Sequence, residues 1–507
     1  MPVDTKRKDF VDVEGKWQRL RDCYEGRDAV LKAGEKYVPS LPAKDAEENA
    51  AYRKRGNFYN AVQRTTNGMT GAVFQDAPEV EFPEAIKTYL DDVTLTNIPF
   101  EMFAQETGRE VVLMSRYGVM IDMPALPPLG VPLTDVRPYL VGYKAEDIIN
   151  WRTERIGGRQ VLTYLVLREM EESIDPKDPF VCVTTCQYRV VYLINNTCNV
   201  QLYREKAPNE KEYVPYGPVM TPTRRGVALD FIPFVFICAM NATPDIEIPP
   251  LIDLADVNLG HWRNSVDYEY GLHLVALPTP WVAGAKNSGD GKTPMKMGPS
   301  VVWELDIQGQ AGMLEFQGAG LAAIVTSMEE KKKQMAVLGG RLLEDPSQVQ
   351  ETASAVRMRH VSEHASLRMI TQSLEVGLTL VLQIMVWWDG TIAKPADAEC
   401  SVELNKDFLN IKATAQEITA ALQALQAGQI SFDTWYSFLQ TGGWAREGVD
   451  ADAEQKEIDD EAIEAKKKNP EPVVTPPGPT KKTITGPDGK VKYQITEEQT
   501  PPAAVAS

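Results

Sequence analysis

Cysteine is scarce: six in 507 residues, too sparse for a disulfide scaffold in so long a chain. A long uncharged apolar run is also missing. The longest nearly apolar stretch, Leu374 to Trp388, carries Glu375 and Gln383 and is shorter than the ~20 residues a membrane-spanning helix needs. The opening segment MPVDTKRKDFVDVEG has no apolar signal-peptide core, so the expectation is a protein made and used in a cytosol-like compartment, with no membrane partner. Positive charge is in deficit. Lys and Arg number 53 against 71 Asp and Glu, a formal net charge of -18. A protein that grips duplex DNA from outside usually carries a basic face, because phosphate neutralisation dominates its affinity, so the charge argues against a sequence-specific DNA binder. No internal repeat is visible.

Complete chemical signatures are missing too. Gly289-Asp-Gly291-Lys292-Thr293 looks like the end of a phosphate-binding loop, but Lys286 stands where the pattern needs its first glycine, and Pro294 stands where a helix should begin. A flexible glycine-lysine loop is the better reading. His360-Val-Ser-Glu363-His364 is an H-x-x-E-H string, the inverted zincin pattern. On a helix it places two imidazoles one turn apart beside a carboxylate, a set able to hold zinc with Glu363 as general base. Nothing singles out a third ligand, although Glu403 and Glu417 lie downstream. Chance yields such short strings often, so a polar helix face with an Arg359–Glu363 pair ranks ahead of a zinc metallopeptidase. Cys182 and Cys186 would share a strand face, but no second pair at zinc spacing follows, and with Cys198 they read as buried free thiols. No Ser, Asp and His set emerges. We therefore expect no catalytic residue, no bound metal and no cofactor.

Along the chain, residues 1 to about 115 read as mainly helical, with Val11–Asp28, Asp45–Phe74 and Thr96–Tyr117 as the segments. Residues 119–240 turn to strand, with Val161–Arg168, Phe180–Ile194, Asn199–Tyr203 and Phe231–Cys238 rich in β-branched and aromatic residues. Helix returns over Pro249–Val275, where Pro250 suits a first turn. Residues 276–316 look extended, and Gly318–Leu338 is a second helix stopped by Gly339-Gly340. Asp345-Pro346-Ser347-Gln348 is a helix start, and the helix it opens runs towards Trp388, with Gly377 as a bend. Residues 405–465 form a small helical unit, with Gly428 a stop and Ser431 a cap. From Asn469 large apolar residues are few and the tail is expected to be disordered.

The run Pro249 to Gly284, PPLIDLADVNLGHWRNSVDYEYGLHLVALPTPWVAG, resembles a signature segment of tailed-bacteriophage portal proteins, in particular a family long labelled a domain of unknown function. Glu351 to Gly390, ETASAVRMRHVSEHASLRMITQSLEVGLTLVLQIMVWWDG, supports it. So do Gly34-x-x-Tyr37-Val38-Pro39, Tyr52-x-x-Arg55, Gly71-x-Val73-Phe74, Gly118–Asp122 (GVMID) and Tyr143–Trp151 (YKAEDIINW). Together these cover most of residues 15 to 450.

The resemblance implies an α+β portal fold that forms a ring. Residues 1–248 would be the wing, with 119–240 its strand-rich part. Residues 249–275 and 318–338 would be the stem helices and 276–316 the clip. A tunnel loop would occupy 339–345, a long wing helix 346–390, the crown 391–465 and the disordered tail 466–507. The implied function is a non-enzymatic channel at one capsid vertex of the virion, assembled in the host cytoplasm, through which double-stranded DNA is packaged and ejected without sequence readout. Implied partners are further copies of the chain, typically in a dodecamer, the terminase large subunit that supplies ATP hydrolysis, the major capsid protein, a head–tail adaptor and a scaffolding protein. An acidic lumen would repel DNA and let it slide. Gly339, Gly340 and Arg341 are the candidate DNA-facing loop, with an ion pair from Arg341 to Glu344 or Asp345 an equal alternative. Asp253, Asp256, Asp267 and Glu269 on the first stem helix line the channel or face outward, with equal weight.

Overall fold

Glycines and caps divide the N-terminal region into short helices. Helix α1 (Lys8–Glu25) buries Phe10, Val13, Trp17 and Leu20 at helical spacing. Gly26 takes φ 93°, a conformation that favours glycine, and starts α2 (Arg27–Ala33) in a new direction. The single helix expected over Val11–Asp28 is therefore two. Helix α3 (Ala46–Arg55) opens on a reciprocal cap: Glu48 N donates to Asp45 Oδ1 at 2.8 Å, and Asp45 N donates to Glu48 Oε2 at 3.1 Å. Helix α4 (Ala61–Val73) follows after a break at residues 56–60, where one helix was expected. β1 (Glu79–Glu81) and α5 (Phe100–Met114) complete this part. Arg21 on α1 donates to both oxygens of Glu110 on α5, at 2.9 and 2.7 Å, and to Glu146 at 2.9 Å, tying helices to the first sheet.

The computed structural model describes residues 2–124, 136–175, 178–206, 212–277, 279–285, 305–314, 318, 320–339, 353–390, 392–406, 408, 415–441, 444–446, 449–468, 481–485, 489 and 491–496. Those at 279, 284–285, 353–364, 415–417, 441, 462–468, 481–485 and 491–496 are described by backbone alone.

Strands follow α5 in two sheets. The first takes the order β11-β2-β3 from β2 (Arg116–Asp122), β3 (Tyr139–Lys144) and the late-arriving β11 (Phe234–Cys238). All five β11 residues are buried, as a strand covered on both faces requires. The second sheet is an antiparallel meander of β4 (Ile148–Ile156), β5 (Arg159–Asp175), β6 (Asp178–Ile194), β7 (Thr197–Glu205) and β8 (Tyr213–Met220). A small hairpin, β9 (Thr223–Arg224) and β10 (Val227–Ala228), leads into β11. Two of the three cysteines expected to be buried are not: Cys182 is exposed and Cys186 half-buried, and only Cys198 is buried. They sit where β5 and β6 outrun the rest of their sheet.

Then come α6 (Ile252–Ala276), β12 (Thr279–Ala285), β13 (Leu305–Leu314), α7 (Leu321–Leu338) and the 37-residue α8 (Ala353–Asp389). At ~1.5 Å per residue α8 spans about 55 Å. Leu374, Leu378, Val381, Leu382 and Met385 bury its core face. Gly377 lies against the first sheet: a Cβ there would stand 2.8 Å from Ile237. The glycine expected to bend the helix instead allows a close approach, and α8 runs through it unbroken. Ser373 Oγ donates to Cys238 O at 2.8 Å beside it. Its Ala365–Asp389 part is long and apolar enough, by composition, to cross a membrane, yet 61% of the window is buried in the protein, as for a core helix. β14 (Ser401–Glu403) closes on β1, and Glu375 Oε1 accepts from Leu404 N at 2.8 Å.

Residues 1–408 form one compact unit and 409–507 another. In the second, α9 (Ala415–Gln426) stops at Gly428, and Ser431 caps α10 (Phe432–Thr441) by accepting from Thr434 N at 3.3 Å. Gly428 takes φ 68°. Helix α11 (Ala451–Lys468) packs on α10, with Tyr436 buried. The tail expected to be disordered contains a backbone hairpin, β15 (Lys481–Thr485) with β16 (Val491–Thr496). In the sequence, Val491, Tyr493 and Ile495 at alternate positions, preceded by the turn-forming types Pro487-Asp488-Gly489, supply a hairpin signal that the overall composition masks.

Candidate functional site

Three close contacts define the arrangement of α6 and α7. A Cβ on Gly271 would meet Leu321 at 2.6 Å, Asn264 Nδ2 donates to Ser327 Oγ at 2.9 Å, and a Cβ on Gly260 would meet Lys331 at 3.3 Å. As the α6 number falls the α7 number rises in step, so the helices are antiparallel and in register. Small residues on α6 let the backbones come close. The connection between them contains a β-ribbon, β12 paired with β13 from Thr279↔Leu314 to Ala285↔Leu305. Trp281 lies over Gly312, whose Cβ would stand 2.9 Å from the indole nitrogen.

The first half of α6 is a core element. Ile252, Leu254, Ala255, Leu259, Trp262 and Val266 are buried. Asn258, fully buried, accepts from Ala61 N at 3.2 Å and donates to Tyr59 O at 2.7 Å. Ser265 Oγ accepts from Asn57 N at 2.8 Å. Gly56 packs on Val266 so closely that a Cβ would stand at 2.4 Å. Two α6 side chains thus satisfy backbone groups at the break between α3 and α4, beside the local cap in which Asn60 accepts from Gln63 N at 3.1 Å. None of these was marked as functional from the sequence. The only signal was a pair of polar residues on the buried stripe of an otherwise apolar helix face.

His261 sits beside this clamp, buried, its two ring nitrogens lacking hydrogen-bond partners. Burial, reinforced by Lys332 and Lys331, pushes it down to about 4. The imidazole is therefore neutral at pH 7.

The acids nominated on α6 divide. Asp256 pairs with Arg19 on α1, Asp267 accepts from the Tyr52 hydroxyl on α3, and Glu269 accepts from Asn57 Nδ2 at 3.2 Å. Desolvation first, and then the Asp267 hydrogen bond, raise the Tyr52 phenol, so it stays protonated. Asp253 is exposed at the start of the helix. Three of the four acids thus make contacts within the chain. Gly339 is buried at the end of α7, where a Cβ would meet Thr65 Oγ1 at 2.6 Å. Gly340 and Arg341 lie outside the described residues, as do Glu344, Asp345 and the glycine-lysine loop at 289–294. His360, Glu363 and His364 lie on the backbone of α8 with their side chains outside the described set. Among the described residues no group of three or more His, Cys, Asp or Glu is placed to hold a metal.

Between α3 and the exposed half of α6 lies a groove of 220 Å³. Its floor is Tyr52, Tyr270 and Leu274, and its rim carries Lys44 and Arg55. Lys44 Nζ sits 4.4 Å above the Tyr270 ring, and Tyr52 meets Tyr270 edge-on at 5.3 Å. Aromatic floor and cationic rim together suit an apolar group flanked by carboxylates.

The chain is thus an α+β protein whose central segment is a helix–ribbon–helix hairpin followed by a long core helix. A family model described as a domain of unknown function (DUF4055) matches residues 250–389, which is that segment. Both longest stretches carrying the sequence resemblance fall within it or one residue outside it. No curated protein sequence matches the chain. Among solved structures, a chain in the virion of a native gene transfer agent (GTA) particle is similar at 12% identity and TM-score 0.37, over 81% of this chain and 98% of that one. A chain in the neck of an empty GTA particle, computed with C6 symmetry, shows 13% identity and TM-score 0.36 over 77% and 92%. A chain in the neck of a native GTA particle, computed with C12 symmetry, shows 10% identity and TM-score 0.33 over 81% and 97%.

Proposed function

We propose that this chain is a portal subunit: a non-enzymatic protein that assembles into a ring at one capsid vertex and passes double-stranded DNA during packaging and ejection. The observation that carries the reading is the order of elements in the segment with the strongest portal resemblance. An antiparallel helix pair tipped by a ribbon precedes a 37-residue helix. In this reading α6 and α7 are the stem, β12 and β13 the clip, and α8 the wing helix, with residues 1–248 the rest of the wing; of the expected crown at 391–465, the part to residue 408 belongs with the wing, where β14 pairs with β1, and 409–465 are the crown.

The DNA-facing elements in this reading are Arg341 and its neighbours at 340–345 and Asp253, while Gly339, packed on Thr65, serves only to end α7. Asp256, Asp267 and Glu269 serve chiefly to hold α6 on the N-terminal helices, so the channel's acidity rests on Asp253 and on residues beyond α6. Terminase, major capsid protein, a head–tail adaptor and a scaffolding protein are the proposed partners, and the virion is the proposed location. The test is mass photometry and negative-stain imaging of the purified full chain. Rings of about twelve subunits with an open centre are expected. A monodisperse monomer at micromolar concentration would overturn the reading.

A further inference from the structure

Strands β5 and β6 are each 17 residues long, and only part of that length belongs to the sheet. Pairing with β4 ends at Leu167, and pairing with β7 ends at Gln187. Beyond those points the two strands pair with each other alone, and at ~3.3 Å per residue they project about 25 Å. A two-stranded ribbon buries little by itself and gains stability by packing on something else. Among the described residues, this one ends in apolar side chains that stay exposed. Alternation places Met170 and Ile174 on one face with Cys186 and Cys182, and Phe180 stands beyond Cys182 at the tip, where the register shifts. Phe180 is 94% exposed. Acids flank the knob: Glu172, Asp175 and Asp178, with Glu171 paired to Arg204.

The chain's own surface offers a complement. In a protein of net charge -18, most surfaces repel an acidic arm. The α3–α6 groove does not. It has an aromatic and leucine floor and cations at its rim, and its one lining carboxylate, Glu48, is turned to the start of α3 as half of the reciprocal cap. We propose that the ribbon tip docks on a second copy of this chain, with Phe180 in the groove of Tyr52, Tyr270 and Leu274 and with Asp178 facing Lys44 and Arg55. This rests on the ring reading and gives it a subunit contact. Knob and groove are different surfaces of one chain, so the contact is head-to-tail. Such contacts repeat around an axis and close into a ring when the rotation permits.

The experiment uses the full chain. Ala51→Cys places a thiol on the groove, and native Cys182 places one on the ribbon. A short bismaleimide should join them into an intermolecular ladder on a denaturing gel, and Cys182→Ser should abolish it. Phe180→Asp should raise the concentration for half-assembly at least about tenfold, as for an aromatic anchor, with an unchanged thermal melt of the subunit. Asp178→Arg should weaken assembly, and Arg55→Asp in the same chain should restore it. Rings that survive Phe180→Asp at wild-type concentration and yield no Ala51→Cys ladder overturn the contact and leave the ring reading intact. A ladder through Cys182 on both chains would show ribbon-to-ribbon pairing and also overturn it. A wild-type chain that never forms rings removes both.

Discussion

The two halves of α6 belong to different environments although they are one continuous helix. From Ile252 to Val266 the helix is built into the core, and its polar residues Asn258 and Ser265 are spent on a neighbouring loop. From Asp267 onward it meets α7 through Gly271 and leaves Leu272, Leu274 and Val275 exposed. The same division recurs in β5 and β6, where Leu165 and Val191 are buried and Ile174 and Phe180 are open. Elements that start inside a subunit and end as apolar surface are what an assembly needs: the inner half fixes the direction and the outer half supplies the contact.

That comparison breaks most sharply under truncation. Trp262 is fully buried, and Trp262→Ala should cost about 3–5 kcal/mol in urea unfolding of the subunit. Leu274 is 40% exposed, and Leu274→Ala should change subunit stability by no more than about 0.5 kcal/mol. The same Leu274 variant should weaken ring formation. If both variants cost subunit stability equally, the outer half is not free surface and the division of α6 is wrong.

The inner clamp was the part least legible in the sequence. Residues 45–74 carry helical spacing throughout, and the local signals for a break were Gly56 and Asn60, whose side chain caps α4 by accepting from Gln63 N at 3.1 Å. Side chains two hundred positions away hold the break: Ser265 takes the Asn57 amide, and Asn258 takes the Ala61 amide. The three-residue pair of β1 with β14 was hidden for a similar reason, since it brings residue 80 to residue 402. Local signals were read correctly where they suffice, as with Gly428 and Ser431 around α9 and α10. The α6 acids were visible as residue types, but their directions were not. Asp256, Asp267 and Glu269 find Arg19, Tyr52 and Asn57 only once α1 and α3 have packed. A smaller test of the clamp is Gly56→Ala. The added methyl meets Val266 and the Trp262 ring, and overpacking of this kind costs about 1–3 kcal/mol. Stability unchanged in a thermal melt would show that the loop shifts freely and that α6 does not hold it.

A pH dependence is also expected, and it belongs to His261 in the inner half. His261 is buried, without hydrogen-bond partners, and faces Lys332 and Lys331 on α7. Burial and those cations bring it from 6.5 to about 4. Between these values the unfolded chain binds a proton that the folded chain refuses. The contribution of His261 is therefore complete above pH 6.5. It declines as the pH falls through that window, by up to about 1.4 kcal/mol per unit, and is constant below it. His261→Leu removes the titrating group and the two unpartnered nitrogens while keeping an apolar side chain in the site. Its stability at pH 7 should stay within about 1 kcal/mol of the wild type or exceed it. Between pH 6.5 and 4 its urea midpoint should fall less steeply than that of the wild type. Parallel curves for the two proteins would mean that His261 is hydrated or paired in solution, and that the α6–α7 contact is looser than the closeness of Gly260 to Lys331 implies.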